Sequence, residues 1–568
     1  MSLPILLVPC TKEGRGGGHL ARCKNLQKDL QELGREAILY KADTNINRVW
    51  GAIILDNFST SREEYQYFSA LGPTIAIDDG SKLPFDWTLN LLPALSDTQS
   101  ANLNDISLNP LPFRRKENPF RQLSEDKPLQ ILISFGAEDK AGLTQKYTEK
   151  LLAMQKQNTQ LHYEITVVLG PLNKSEFNYP VRIEKNVEDL KESFFGFDLL
   201  ISHFGLGAFE SLYAGTAVLL AHPTAYHRKL AYHAGFADAD TYIQTLPASI
   251  KEINRISKKV AERYNLLNTQ YKNLADYINE LEFSVPKLCP VCGEADVGLH
   301  TVIARFPQKT YKKCPRCGMV YMLRNSPPPI EYNDEYFFDN YKKQYGKTYI
   351  EDWPHLKEVN KERVRWIRRL MPLTQKSNNG NGEQRLLEIG CAYGPLLAAA
   401  EEAGFKPLGI EIEKHAAEYV REKLHIPCVT SSFPSPARQE FQNTASFDAI
   451  VLNYVIEHFR DVEKVLAEIK RLLKKGGILA FATPSCSGIS GRKNLKAFLK
   501  NSPEDHWTVW SPKLAKKVLK HYGFKVRKIV ITGHHPERFP LKLPQKLLMC
   551  ISRLFNLGDT FEVYAEKI

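Results

Sequence analysis

At 568 residues, with 43% hydrophobic and 25% charged side chains, the chain has ordinary globular composition and room for about three to four domains, which excludes a wholly disordered or fibrous protein. No apolar run approaches the ~20 residues of a spanning helix and the N-terminus lacks a basic-then-apolar leader, so the expected location is the cytoplasm, with no transmembrane segment. The net charge of +12 is uneven: up to Pro286 there are 31 basic and 34 acidic residues, and beyond it 45 and 30. The basic half could meet nucleic acid, a membrane surface or an anionic glycan, but solvated lysines on helices account for it as well.

The chain opens on an apolar run, Ile5–Val8, predicted as a buried strand. Gly14, Gly16, Gly17 and Gly18 then lead into a helical pattern with Leu20, Cys23, Leu26, Leu30 and Leu33 near helical spacing, closing at Gly34. A glycine loop running into a helix N-terminus can cradle a diphosphate, or can be a plain turn. His19 and Arg22 fall in the first helical turn and are expected to face the same ligand space. The strands Ala52–Leu55 and Thr74–Ile77 end on Asp56 and on Asp78 and Asp79. Strands with acidic ends between helical patterns predict parallel α/β layering.

The polar, proline-bearing stretch from Leu111 to Pro128 reads as a linker. A second α/β unit follows, with strands at Ile131–Ser134, Ile165–Leu169 and Leu199–Ser202, then Gly205 and Gly207 opening a helix that carries Glu210. The helical pattern from Ile250 to Leu281 is expected to close on this second lobe.

The glycine loop with His19, Arg22 and Cys23, the run Ile77–Asp79, Ser134 and Gly136 with Asp139, and Gly205 through Glu210 resemble the UDP-sugar hydrolases of pseudaminic acid biosynthesis and related spore-coat polysaccharide proteins. The likeness covers about residues 3–240. It implies two Rossmann-like lobes of the GT-B kind holding a nucleotide sugar. His19 would be a catalytic base, Glu210 would hold the ribose, and Gly18, Arg22, Ser134, Gly136 and Gly205 would also contact the nucleotide sugar. His203, Phe204, Thr216 and His227 depart from that pattern and bear on turnover more than on binding.

Cys289-Pro-Val-Cys292 and Cys314-Pro-Arg-Cys317 are two tight knuckles separated by a hairpin-length insert. Four thiolates at that spacing predict one closed, structural Zn2+ in a zinc ribbon, with no open position for water. The nearby lysines and arginines lack the aromatic interleaving of a nucleic-acid surface. Pro327–Pro329 break the chain, an aromatic stretch runs from Tyr332 to Tyr349, and Gln375–Glu383 reads as a connector.

The segment Arg385–Leu397 is a strand, a glycine turn at Gly390 and Gly394, and a helix start; a second strand ends on Glu411. With the strand Phe447–Leu452 and the turn Lys475-Gly476-Gly477 before another strand, the pattern resembles class I S-adenosylmethionine (SAM)-dependent methyltransferases from about Glu383 onward. Ala392 stands where many of them have glycine. The resemblance implies SAM contacts from Glu388, Gly390, Ala392, Gly394 and Glu411, with Ser432 at the adenine and Asn453 near the methyl. His458, directly after Glu457, is either a base toward an acceptor hydroxyl or a histidine that orients its loop. His506, Trp507 and Trp510 are expected to line the acceptor pocket. The closing strand Thr560–Ala565 is expected at the antiparallel edge of the sheet, and the basic, apolar stretch from Phe539 to Phe555 either packs inside or touches a membrane.

The expected division is therefore an N-terminal Rossmann-like lobe (1–122), a second lobe (123–285), a zinc ribbon (286–330) and a methyltransferase domain (331–568). The expected function is methylation of a carbohydrate or nucleotide-sugar-derived small molecule in surface-glycan synthesis, fused to a nucleotide-sugar hydrolase or transferase. Two alternatives are a noncatalytic front half and a nucleic-acid methyltransferase.

Overall fold

The computed structural model describes residues 3–11, 18–92, 101–106, 115–117, 119–120, 127–157, 162–173, 176–187, 190–266, 273–283, 285, 287–324, 341–372, 383–434, 441, 443–540 and 543–568. Gly14–Gly17, most of the 111–128 linker, Pro327–Pro329, Tyr332 to Asn340 and most of the Gln375–Glu383 connector lie outside the described residues. The chain forms two compact units, Met1–Val285 with Arg305–Gln308, and Pro286–Ala304 with Lys309–Ile568.

The first unit holds two six-stranded sheets. One runs β2–β1–β3–β4–β5–β6, from β1 (Ile5–Pro9), β2 (Ala37–Leu39), β3 (Ala52–Asp56), β4 (Thr74–Ile77), β5 (Trp87–Asn90) and β6 (Leu103–Asn104), every pair parallel. Its strands are apolar runs buried on both faces, as a sheet covered by helices on both sides requires. Helix α1 (Gly18–Glu32) buries Cys23, Leu26 and Leu30 against it, and Gly34, at φ 75°, turns the chain out in the left-handed conformation. Helix α2 (Arg62–Leu71) starts on a reciprocal cap between Ser61 and Glu64.

The other sheet runs β12–β11–β10–β7–β8–β9, from β7 (Leu129–Ile133), β8 (Tyr163–Leu169), β9 (Arg182–Lys185), β10 (Leu199–Ser202), β11 (Ala217–Leu220) and β12 (Ala237–Asp238), again parallel throughout. Helices α3 (Leu143–Gln157) and α4 (Leu206–Ala214) cover it.

The region expected as one closing helix on the second lobe divides. Helix Ile250–Arg263 packs Ile253 and Val260 on the second lobe. Helix Leu274–Asn279 instead returns to the first lobe, where Leu274 and Ile278 join Cys23, Leu26 and Leu30 in one core. The apolar stripe is the same in both pieces; only the three-dimensional path decides which sheet each one covers.

A four-stranded sheet β13–β14–β15–β21 is made of β13 (Thr301–Phe306), β14 (Lys309–Lys313), β15 (Val320–Arg324) and β21 (Thr508–Val509), all of the second unit except Arg305 and Phe306 at the end of β13. The second unit's other sheet has seven strands in the order β18–β17–β16–β19–β20–β23–β22, from β16 (Arg385–Ile389), β17 (Lys406–Glu411), β18 (Cys428–Thr430), β19 (Phe447–Asn453), β20 (Leu473–Pro484), β22 (Phe524–Thr532) and β23 (Thr560–Lys567). Strand β23 is antiparallel to both neighbours. It is not the edge expected from sequence: it lies between β20 and β22, and its residues Phe561 and Val563 are fully buried. Lys475–Gly477 likewise is an irregularity inside β20, where the register against β19 jumps from Phe447/Leu473 to Ala449/Ile478, and Gly476 takes φ 76°.

Candidate functional site

In the second unit the strand–turn–helix segment folds as its composition requires. After β16 the backbone takes positive φ at Gly390 (71°), Ala392 (47°) and Gly394 (70°). A Cβ on Gly390 would come within 2.6 Å of Val455 Cγ2, so no larger residue fits without moving that side chain. Ala392 holds a left-handed conformation that glycine would hold at lower cost, and its N–H donates to Glu411 Oε2 at 2.7 Å. Glu411 Oε1 accepts from the N–H groups of Ile412 and Glu413 at 2.8 and 3.0 Å. Burial raises the Glu411 carboxyl above its ordinary range, against these backbone hydrogen bonds.

Glu388 is buried at 3% exposure, and its Oε2 has no partner among the described residues. Burial is the main cause that pushes its carboxyl well above the usual range, opposed by Arg363. An orphaned buried carboxylate oxygen costs about 1–3 kcal/mol, so it marks a place where a polar ligand would relieve the structure.

Aromatic side chains pack beside the Gly390–Gly394 turn. Tyr349 lies 5.8 Å from the Tyr393 ring and 5.1 Å from Tyr341, and Tyr393 is 5.2 Å from Tyr419. Trp353 Nε1 donates to Tyr393 O at 2.9 Å. Burial, with Glu388 next, drives the Tyr349 hydroxyl well above its ordinary pKa, so it stays protonated and can donate. The described part of the aromatic lead-in thus contacts the turn through Tyr349. Ser432 is exposed on the loop after β18, beside buried Phe433.

Beyond β19 the chain carries Asn453, Tyr454 at φ 56°, Glu457 and His458. His458 Nδ1 donates to Asp505 Oδ2 at 2.8 Å, and its ring lies 4.7 Å from His506. Burial alone would lower the His458 pKa, but the hydrogen bond to Asp505 and the charges of Glu457 and Asp505 outweigh it and raise the value. His506 goes the other way, to about 3, through burial and the charge of His458. One imidazole thus holds its proton more tightly than an ordinary histidine, and its neighbour stays neutral. Glu457, 1% exposed, accepts from Thr483 Oγ1 at 2.9 Å through Oε2, and its Oε1 has no partner among the described residues.

Asp505 was not singled out from sequence; nothing local marks an aspartate 47 positions beyond the histidine it holds. Trp507 is half-buried under Arg460, 4.1 Å over its ring. Trp510, expected in the acceptor pocket, is 1% exposed and packs on Phe481 in the hydrophobic core. Its position beyond β21 turns it inward.

The four cysteines meet. Cys289 Sγ is 3.6 Å from Cys317 Sγ, and Cys292 Sγ is 3.7 Å from Cys314 Sγ, with all four sulfurs within 4.8 Å of one another. A tetrahedron with metal–sulfur bonds of about 2.3 Å has edges of about 3.75 Å, so the donor set fits Zn2+ in size and chemistry. Gly293 (φ 64°) and Gly318 (φ 88°) turn the two knuckles, and their N–H groups donate to Cys289 O and Cys314 O. Strand β15 of this module pairs antiparallel with β21, and Met322 N donates to Trp507 O. Trp507 N in turn donates to Glu457 O. The cysteine module is therefore laced to the loop that carries Asp505 and His506.

In the first unit, His19 Nδ1 lies within hydrogen-bond distance of Asp56 Oδ1, at 2.7 Å. Arg22, expected to face a ligand, instead turns into the lobe. Its Nε and Nη2 donate to Asp56 at 2.7 and 2.6 Å, and its Nη1 donates to Asp78 Oδ2 at 2.7 Å. Asp56 and Asp78 were legible only as acidic strand ends. Gly18 opens α1. In the second lobe Ser134 and Gly136 follow β7 and Gly205 precedes α4, at the carboxyl edge of the sheet, where ligands of parallel α/β folds bind; Glu210 lies within α4. His203 stacks on Phe135, its Nδ1 has no partner among the described residues, and burial, with His227 nearby, pushes its pKa down to about 4.

Residues 356–529 match a family described as "Methyltransferase domain". The chain is 27% identical over 130 residues to the ubiquinone biosynthesis O-methyltransferase of Thiobacillus denitrificans, covering 22% of this chain and 53% of that protein. It is 28% identical over 146 residues to the enzyme of the same name from Aromatoleum aromaticum, 25% of this chain and 56% of the other. The chain spans about half the length of these curated relatives. Among solved structures, a SAM-dependent methyltransferase from Archaeoglobus fulgidus aligns over its whole length and 41% of this chain, at 17% identity and a TM-score of 0.30. Residues 356–529 of this chain therefore correspond to a methyltransferase domain, and a large region of parallel sheets precedes it.

Proposed function

We propose that the chain is a two-part enzyme of surface-glycan metabolism, in which the second unit methylates a carbohydrate or nucleotide-sugar-derived small molecule with SAM. The observation that carries the reading is His458, held by Asp505 just beyond the strand end that follows Glu388, Gly390 and Glu411 in the sheet. SAM, when bound, supplies an electrophilic methyl on a sulfonium. Glu411 and the Ala392–Gly394 turn would hold its ribose and amino-acid ends, Glu388 would accept from it, Asn453 would face the methyl and Ser432 the adenine. Tyr349 and Tyr393 would exclude water. His458 takes the proton of the acceptor hydroxyl as its oxygen attacks, and Asp505 holds the imidazolium that results.

The four-cysteine cluster is read as a structural zinc ribbon (286–330) in front of the methyltransferase domain (331–568). The lobes 1–122 and 123–285 are read as a GT-B-like unit that binds a nucleotide sugar through Gly18, Ser134, Gly136, Gly205 and Glu210, with His19 as base for hydrolysis or transfer. The parallel sheets and their clustered carboxyl-edge residues support that reading. Among the described residues no helix is long and apolar enough to cross a membrane. The location is read as cytoplasmic, with any membrane contact peripheral.

The test is incubation of the full chain with methyl-labelled SAM and a panel of nucleotide sugars, followed by mass analysis. Label on a nucleotide sugar or its hexose supports the reading. Label on RNA alone, with salt-sensitive binding, would replace it with the nucleic-acid alternative.

A further inference from the structure

The first unit carries a hydrogen-bonded chain that nothing in the methyltransferase half uses. It runs from His19 Nδ1 to Asp56, from Asp56 to the guanidinium of Arg22, and from Arg22 Nη1 to Asp78. Asp78 is itself fixed, because its Oδ1 accepts from the N–H groups of Leu91 and Leu92 at 2.7 and 2.9 Å and its backbone sits at φ 52°. Asp56 has no exposed surface, and the His19 side chain keeps 16% of its own.

We propose that Asp56 is the positioning residue of a base centre in the first lobe, and that Arg22 serves that centre by clamping Asp56 and does not bind the ligand. The inference rests on the nucleotide-sugar reading above. An ionised carboxylate only accepts, so the atom of His19 that faces it carries the proton, and Nε2 is left as the free acceptor. Arg22 grips both carboxylate oxygens, which removes the freedom of Asp56 to rotate and offsets its charge in a buried place. With all three of its nitrogens committed to Asp56 and Asp78, Arg22 has no fork left for a diphosphate. In the reaction, Nε2 takes a proton from water or an acceptor hydroxyl as that oxygen bonds to the anomeric carbon. The carbon–oxygen bond to the diphosphate breaks, and UDP leaves with the electron pair. Asp56 takes no proton; it holds the ring and the charge that forms on it.

The test uses the full chain and has two arms. The first measures UDP release from UDP-N-acetylhexosamines. Asp56→Asn presents an N–H where an acceptor stood and is expected to lower kcat by about 100-fold or more with KM within about two-fold, matching His19→Gln. Arg22→Lys keeps the charge without the fork and is expected to lose about ten-fold. The second arm reads the imidazole nitrogens of His19 by NMR on protein with 15N-labelled histidine, the signals being assigned by their loss in His19→Gln. At neutral pH and without ligand the proton is expected on Nδ1, and in Asp56→Asn on Nε2. Wild-type turnover by Asp56→Asn, or a wild-type proton on Nε2, overturns the assignment. Absence of UDP release by the wild type defeats the nucleotide-sugar reading instead, and the tautomer then decides the role of Asp56. The wild-type tautomer also decides it should Asp56→Asn fail to fold.

Discussion

Each unit contains a histidine held through Nδ1 by an aspartate, and the two pairs are built differently. In the first lobe, Asp56 ends a strand, its histidine lies on the helix that follows the neighbouring strand, and Arg22 neutralises the carboxylate from the same helix. The pair offers orientation. In the second unit Asp505 sits on a loop, and His458 answers to two carboxylates, Glu457 and Asp505, which raise its affinity for protons. That pair offers orientation and basicity together. The difference to be explained is that a cation shares the carboxylate in one pair, whereas a second carboxylate acts on the histidine in the other.

The sharpest way to break this comparison is His458→Gln, expected to lower methyl transfer by about 100-fold to 10,000-fold while SAM affinity, measured by calorimetry, stays within two-fold. Loss of SAM binding instead would make His458 structural. Asp505→Asn should cost about ten- to 100-fold and should also move the pH profile. A protonated His458 cannot accept a proton, so wild-type kcat/KM should rise with pH and reach half its plateau above the ordinary histidine value of about 6.5; in Asp505→Asn the midpoint should fall toward that value.

Metal removal gives the next effect. Chelation under reducing conditions is expected to slow methyl transfer by about ten-fold, because β15 and the Met322–Trp507–Glu457 hydrogen bonds tie the cysteine knuckles to the Asp505 loop. Unchanged kinetics after loss of one zinc per chain would detach the knuckles from the site. Glu411→Gln should weaken SAM by about ten-fold, worth about 1.4 kcal/mol, with kcat little altered.

The smallest effect is on stability. Since His458 binds its proton more tightly when folded, the His458–Asp505 pair stabilises the fold fully below the unfolded histidine pKa and loses that contribution as pH rises through the raised folded value. Denaturation of wild type and Asp505→Asn should therefore differ more at acid pH than at alkaline pH.

Local pattern was enough for much of this protein. The glycine turn at Gly390–Gly394, the carboxylate ending β17 and the paired cysteine knuckles each lie within a few residues of chain, and short-range sterics and ligand spacing dictate their form. Apolar runs likewise announced parallel strands, since a strand buried on both faces has no polar alternation to hide. What the chain order concealed was partnership. Asp56 meets His19 across 37 positions and Asp505 meets His458 across 47, and no local periodicity links them. The inward turn of Arg22, the burial of Trp510, the central place of β23 and the return of Leu274–Asn279 to the first lobe belong to the same class. Each was settled by which distant surface offered charge or apolar cover, and that choice exists only once the sheets have assembled.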